Sequence, residues 1–322
     1  MNVRKATAAG GNWPVMITPF NKDKSIDWDS LDRLIEWYLS ANSSGLFAVC
    51  QSSEMFDMSN QERLDLASHV VKQVDGRVPI IATGTFPDNG REQSEMVKKI
   101  YDVGVEVVIV LTNVFAACDE SDEVWMRNIE KLLSETDNIP LGLYECPYPY
   151  KRLIPPKTME WVVDTNRFFW AKDTSENIIQ IKERLSVLED SNLSLYNAHT
   201  GSLLESLEAG VLGFAGIDSN YYPHLYSWMC KNWQKEPDLA KELQEFFNWG
   251  RKIIDHKYPL SAKEYLVMIE VINNSTTRLD KGVFDEAEVA VLREMWMEVQ
   301  RWEEKLKLGI SNKVNKTSEL AG

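Results

Sequence analysis

A chain of 322 residues, 44% hydrophobic and 26% charged, has enough apolar material for one large domain or two small ones. Its formal net charge of -14, with no basic stripe, argues against a nucleic-acid partner, and no window approaches the run of about 18 apolar residues that a membrane span needs. Four widely spaced cysteines without a CxxC pair fit free thiols in a reducing compartment and give no zinc pattern, and the opening MNVRKATAAGG lacks the apolar stretch of a secretory signal, so a cytoplasmic location is expected.

In chain order, apolar runs at 14–18, 45–49, 79–83, 105–111, 140–144, 168–172, 193–197 and 211–217 read as strands. They are continuous rather than alternating, the pattern of parallel strands covered on both faces. Helical patterns fill the gaps. The first opens at Ser30 after Asp29 and ends before Gly45. The second opens at Ser59 with Glu62 three residues on, a capping-box spacing, and stops at Gly76. The third stops at Gly104, the fourth opens at Ser121, the fifth starts on Pro155 and Pro156, the sixth opens at Ser175 and the seventh at Gly201. After residue 220 the strand patterns stop and helical ones continue to about residue 308. Eight strand runs with intervening helices predict a (β/α)8 TIM barrel with a C-terminal helical extension. Residues 12–222 form the predicted barrel core, 223–308 the last barrel helix and the extension, and 309–322 a polar tail.

In such a barrel the active site lies at the C-terminal ends of the strands. The sixth strand, FFWAK, runs into Lys172. Apolar neighbours disfavour an ammonium ion, and a neutral amine can attack a carbonyl carbon to form a Schiff base. A strand-end lysine can equally sit in a structural ion pair, here with Asp173 or Glu145. The fifth strand ends in Tyr144, beside Lys172 if sequential strands pair. A phenol there can shuttle protons to a carbinolamine, or it can pack at the barrel rim. The stretch CQSSE, 50–54, ends the second strand. Ser52 and Ser53 bring hydroxyls and consecutive backbone N–H groups that can hold a carboxylate, or can form an ordinary polar turn. His199, after the seventh strand, can bind a substrate hydroxyl, assist proton transfer or cap the rim.

These residues, in this order, resemble the dihydrodipicolinate synthase / N-acetylneuraminate lyase family of pyruvate-dependent class I aldolases, over residues 12 to 300. ITPFNKDKSIDWDSLDRLIEWYL is similar to the family's opening pattern. CQSSE stands at its GTTGE or GSTGE loop, YECP at its YNxP, AKDTS at its lysine strand, and GFAGIDSN at its last glycine-containing strand. The resemblance implies that Lys172 is the Schiff-base nucleophile, that Tyr144 relays protons, and that Ser52 and Ser53 hold the carboxylate of pyruvate or another 2-keto acid. It implies no metal and no organic cofactor, the substrate being bound covalently through Lys172. It also places Thr174, Ala215 and Gly216 beside the substrate. The implied partner is a small 2-keto acid, with no nucleic acid and no membrane, in a homotetramer or homodimer.

Departures from the family pattern narrow the substrate. Val114 and Phe115 occupy the places of a tyrosine pair that the synthase branch uses as a proton relay. Pro149 occupies the place of an arginine that meets a second carboxylate, with Lys151 and Arg152 following. Asn197, Ala198, His199 and Thr200 replace the Gly-x-Asp-Glu of the sugar-acid lyases. Cys50, Gln51 and Ser53 replace glycine, threonine and glycine of the loop, and Gln51 can bring an amide into the site. Glu145 replaces an asparagine, and can act as an acid or base or pair with Lys151. The expected activity is cleavage of a 2-keto-3-deoxy sugar acid, or a related 2-keto acid, to pyruvate and an aldehyde. The alternatives are a Schiff-base dehydratase of a sugar acid, 4-hydroxy-tetrahydrodipicolinate synthase (disfavoured by Phe115 and Pro149), and a non-catalytic 2-keto acid binding protein.

Overall fold

The computed structural model describes residues 10–90 and 92–308; the expected polar tail lies outside them. Eight strands alternate with helices: β1 Gly11–Asn12, α1 Trp28–Ser40, β2 Leu46–Phe47, α2 Asn60–Val74, β3 Ile80–Thr83, α3 Gln93–Asp102, β4 Val107–Leu111, α4 Asp122–Glu135. There follow β5 Leu141–Tyr144, α5 Pro156–Asp164, β6 Phe168–Asp173, α6 Ile178–Leu188, β7 Ser194–Asn197, α7 Leu203–Ala209, β8 Gly213–Phe214 and α8 Pro223–Asn232. Every ladder is parallel, in the order β1-β8-β7-β6-β5-β4-β3-β2. A bridge between Val15 and Phe47 joins β2 back to the segment after β1, with the Phe47 N–H on the Pro14 carbonyl at 3.0 Å. The sheet thus curls into a (β/α)8 barrel. Among the described residues no helix is long and apolar enough to cross a membrane.

Three of the element starts that differ from the sequence reading have a local cause. The strand expected at 14–18 lies earlier, at β1, because Pro14 has no N–H to give a ladder and the run keeps only the Val15 bridge. Helix α1 starts at Trp28, not Ser30, because Asp27 caps it: its carboxylate accepts the Ser30 N–H at 3.0 Å and the Ser30 hydroxyl at 2.7 Å. Helix α6 starts at Ile178, capped by Asn177, because Ser175 is already engaged with the Asp173 carboxylate through its N–H and hydroxyl. The capping box read at Ser59 and Glu62 is present in both directions.

Large aromatic side chains fill the barrel interior. Trp13, Phe47, Trp170 and Tyr196 are fully buried, with Trp170 stacked on Tyr196 at 5.2 Å between centroids and 5.6 Å from Phe47. They form an apolar floor beneath the C-terminal ends of the strands, where any charged group loses its water. Helix α8 packs on β1 and closes the ring of helices. Beyond it lie α9 Pro237–Ile254, α10 Leu260–Met268 and α11 Glu286–Leu306.

The seam between β1 and β8 is built on two glycines in register, and a Cβ on Gly213 would lie 1.9 Å from the Gly11 carbonyl oxygen. Gly213→Ala is expected to open this seam and cost about 3 kcal/mol of unfolding free energy, measured by urea denaturation.

Candidate active site

Strands β5 and β6 run in register with Tyr144 opposite Lys172. Side chains alternate across a strand, so Tyr144 and Lys172 turn inward while the next residue of each, Glu145 and Asp173, turns outward. Both carboxylates meet Arg184 of α6, which is fully buried between them. One Arg184 nitrogen lies 2.7 Å from Glu145 Oε1, another bonds the Asp173 carboxylate, and Nε donates to the Ile154 carbonyl at 3.1 Å. Neither carboxylate therefore pairs with Lys172, and Glu145 does not pair with Lys151. Lys151 instead donates to the Thr174 carbonyl at 2.9 Å and lies 3.6 Å from Glu176. Burial pushes the Glu145 carboxyl up against the opposing pull of Arg184.

Lys172 is 5% exposed, with Nζ 4.5 Å from the centre of the Tyr144 ring. Burial pulls its ammonium down to about 8. The Tyr144 hydroxyl donates to Gln51 Oε1 at 3.3 Å, and burial raises the phenol well above its ordinary range. The thiol of Cys146 contacts the same Gln51 oxygen at 3.7 Å and is pushed up by burial to about 11. Burial also raises the Cys50 thiol, so both thiols near the lysine stay protonated at neutral pH.

Above Lys172 opens a cavity of about 330 Å³, and its wall includes Gln51, Ser52, Tyr144, Thr174, His199 and Gly216. Three expected contacts lie outside that wall. The Ser53 hydroxyl is turned into its own loop, accepting the Cys50 N–H at 2.9 Å and donating to the Cys50 carbonyl at 2.6 Å. Ala215 is fully buried in the barrel, its N–H on the Asn197 carbonyl at 2.8 Å. Glu145 faces Arg184, as above. Within the wall, the Thr174 hydroxyl donates to the Glu145 carbonyl at 2.8 Å, and His199 Nδ1 lies 3.1 Å from the Ser202 hydroxyl. A Cβ on Gly216 would sit 2.7 Å from the Ala198 carbonyl, so glycine lets the main chain itself form the wall.

The sequence reading missed that the C-terminal extension supplies another side of the cavity, with Arg251, Asp255, Tyr258, Pro259, Leu279 and Lys281. It also missed the contact that anchors this side to the CQSSE loop. Glu54 and Lys263 are fully buried and 2.6 Å apart; Glu54 further accepts the Arg278 N–H at 2.6 Å and the Leu279 N–H at 3.0 Å. The pair joins residues separated by 209 positions, and no local spacing signals it. Val114 and Phe115 line a separate hollow with Lys131 and Glu135, and Arg152 pairs with Asp122. A larger hollow of about 680 Å³ between α6 and α7 sits at the opposite end of the strands and holds no such constellation. Among the described residues no cluster of His, Cys, Asp and Glu is arranged to hold a metal.

The sequence profile of the Dihydrodipicolinate synthetase family matches residues 8–293, nearly the whole chain. The chain belongs to this family. Dihydrodipicolinate synthetase family members are enzymes of the class I aldolase and lyase type that work through a lysine Schiff base without a metal cofactor. Relatives named 4-hydroxy-tetrahydrodipicolinate synthase include one from Clostridium novyi, 25% identical over 68% of this chain and 72% of that protein. Another, from Oceanobacillus iheyensis, is 27% identical over 64% of this chain and 68% of its own. Among solved structures, a monomeric dihydrodipicolinate synthase variant superposes with a TM-score of 0.83 at 20% identity, covering 91% of this chain and 97% of that one. A family prophage protein from E. coli K12, in complex with pyruvate, superposes with a TM-score of 0.82 at 19% identity, covering 90% and 98%. At such identities the structural likeness shows the shared barrel.

Lys263→Met leaves the Glu54 carboxylate buried and unpaired, and is expected to cost about 3–5 kcal/mol of stability in urea denaturation. The double variant Glu54→Gln with Lys263→Met is expected to recover a large part of that loss, because no buried charge remains.

Proposed function

We propose that this enzyme cleaves a 2-keto-3-deoxy sugar acid, or a related 2-keto acid, to pyruvate and an aldehyde through a Schiff base on Lys172. The observation that carries the reading is a buried lysine, set 4.5 Å over a tyrosine ring at the floor of a cavity and pulled down by burial to about 8. The neutral amine adds to the keto carbon, and the carbinolamine oxygen takes a proton from Tyr144 and leaves as water. The Tyr144 phenolate, a strong base in this buried setting, takes the proton of the C4 hydroxyl as the C3–C4 bond breaks. The electron pair of that bond passes into the iminium and gives an enamine. Protonation at C3 and addition of water release pyruvate and restore the amine. Ser52 and Gln51 hold the keto acid's carboxylate end, and His199 and Thr174 face the rest of the chain.

A second reading, condensation of pyruvate with aspartate semialdehyde, is favoured by the names of the curated relatives. Against it, Phe115 lies in another hollow and Pro149 brings no positive charge to the wall.

Incubation with pyruvate, borohydride reduction and peptide mass spectrometry are expected to find a reduced adduct on the peptide carrying Lys172. Lys172→Ala is expected to abolish both the adduct and turnover; full activity in that variant would sink the mechanism. Tyr144→Phe is expected to cut turnover about 10²-fold. Proton NMR of the products separates retro-aldol cleavage from loss of water, and a parallel assay with aspartate semialdehyde tests the second reading.

The pH dependence follows from the lowered lysine. Below about 8 the ammonium form predominates and has no lone pair to attack with. The rate of adduct formation is therefore expected to rise from pH 6 and level off above about 8; a flat profile across that range would contradict the assignment.

A further inference from the structure

The cavity is basic in a chain that is not. The whole sequence has 35 Lys and Arg against 49 Asp and Glu, yet the cavity wall holds Lys151, Lys172, Arg251 and Lys281 against only Glu176 and Asp255. Three of the four basic groups are accounted for. Lys172 is the reacting amine of the reading above. Lys151 is tied to the Thr174 carbonyl and Glu176. Arg251 lies 2.8 Å from Asp218 on one side and 2.8 Å from Asp255 on the other.

Lys281 is left over: among the described residues its ammonium has no carboxylate and no hydrogen-bond partner. Yet the segment carrying it is held in place. The Arg278 and Leu279 N–H groups both end on Glu54, and the Arg278 guanidinium donates to the Lys24 carbonyl at 2.9 Å and the Asp57 carbonyl at 2.7 Å. The Arg278 guanidinium also bonds Glu62. The Gly282 N–H closes a turn on the Asp280 carboxylate at 3.2 Å. A fixed backbone thus sets Lys281 in the cavity wall, with a long cationic side chain that no described carboxylate neutralises. Its depth matters too. Lys172 and Ser52 are buried at the floor, 5% and 4% exposed, whereas Lys281 is only half-buried, at the rim. A keto acid anchored at the floor by Lys172 extends its far end toward that rim.

We propose that Lys281 selects substrates whose far end carries a second anionic group, a carboxylate or a phosphate. This deepens the aldolase reading and rests on it. The acidic surface elsewhere keeps stray anions away, and the local positive charge at the rim draws the far anion in. The arrangement differs from an arginine after the fifth strand, since the cation comes from the C-terminal extension.

The test compares three probes on the full-length protein: a six-carbon 2-keto-3-deoxy aldonate with a neutral far end, its 6-phosphate, and the corresponding aldarate. Expected is a kcat/KM at least about tenfold higher for one anionic probe than for the neutral one, the scale of a hydrogen bond to a charged group. The preferred probe names the anion. Lys281→Met should bring that ratio close to one, and Lys281→Arg should keep it. If the wild type forms the pyruvate adduct but shows no anionic preference, or keeps its preference in Lys281→Met, the proposal is overturned while the aldolase reading stands. If Lys281→Met raises the KM for pyruvate itself and leaves the ratio intact, Lys281 serves the keto acid's own carboxylate and the proposal is likewise overturned. Absence of any adduct on Lys172 would overturn the aldolase reading and this proposal together.

Discussion

Removal of water from the Lys172 ammonium is the constraint on which the site depends. Trp13, Phe47, Trp170 and Tyr196 fill the barrel interior, and the amine, 5% exposed, lies 4.5 Å from the centre of the Tyr144 ring rather than in solvent. Burial alone would be undone by an adjacent carboxylate, since an opposite charge favours the protonated form. Two carboxylates are in fact next in sequence to Tyr144 and Lys172. Strand alternation sends Glu145 and Asp173 to the other face, where Arg184 takes both. The same pleat that brings the phenol and the amine together keeps the acids apart from the amine.

That division explains why Glu145 belongs to the scaffold. Its two oxygens are occupied by Arg184 and by the N–H groups of Ile154 and Thr174. This network fixes the segment after β6, and with it Thr174, whose hydroxyl is in turn held by the Glu145 carbonyl. An outward carboxylate thus shapes the inward wall without entering the cavity.

The C-terminal helices are part of the site and not an appendage to the barrel. Glu54 ends the loop that carries Gln51 and Ser52, and its carboxylate binds Lys263 of α10 and the backbone of Arg278 and Leu279. A buried ion pair of this kind offers little net stability over an apolar pair, but it penalises any arrangement in which either partner is displaced. Its effect is to join the loop at the floor to the segment at the rim. Both side chains of that contact are fully buried, and burial pulls the Lys263 ammonium down to about 8.

What could be read along the chain was what repeats or is local. Continuous apolar runs and helix caps such as Ser59 with Glu62 reflect interactions within a few residues, so they pointed to a (β/α)8 barrel and to Lys172 and Tyr144 at neighbouring strand ends. Pairing partners were not local. Chain position leaves Glu145 as an acid or base or as the partner of nearby Lys151, but the basic group that meets it in space is Arg184, 39 positions on. Ser53 and Ser52 are chemically alike in sequence, and only the turn decides that Ser53 bonds its own loop while Ser52 meets the cavity. Arg251, Tyr258, Lys263 and Lys281 lie on helices and loops whose apolar pattern signals packing alone. The succession of strands and the inward positions of Tyr144 and Lys172 could be read along the chain, because they follow from period and hydrophobicity. Which charges neutralise one another, and which described cation has no described partner, could not be read there, because that depends on distances through space between segments far apart in the chain.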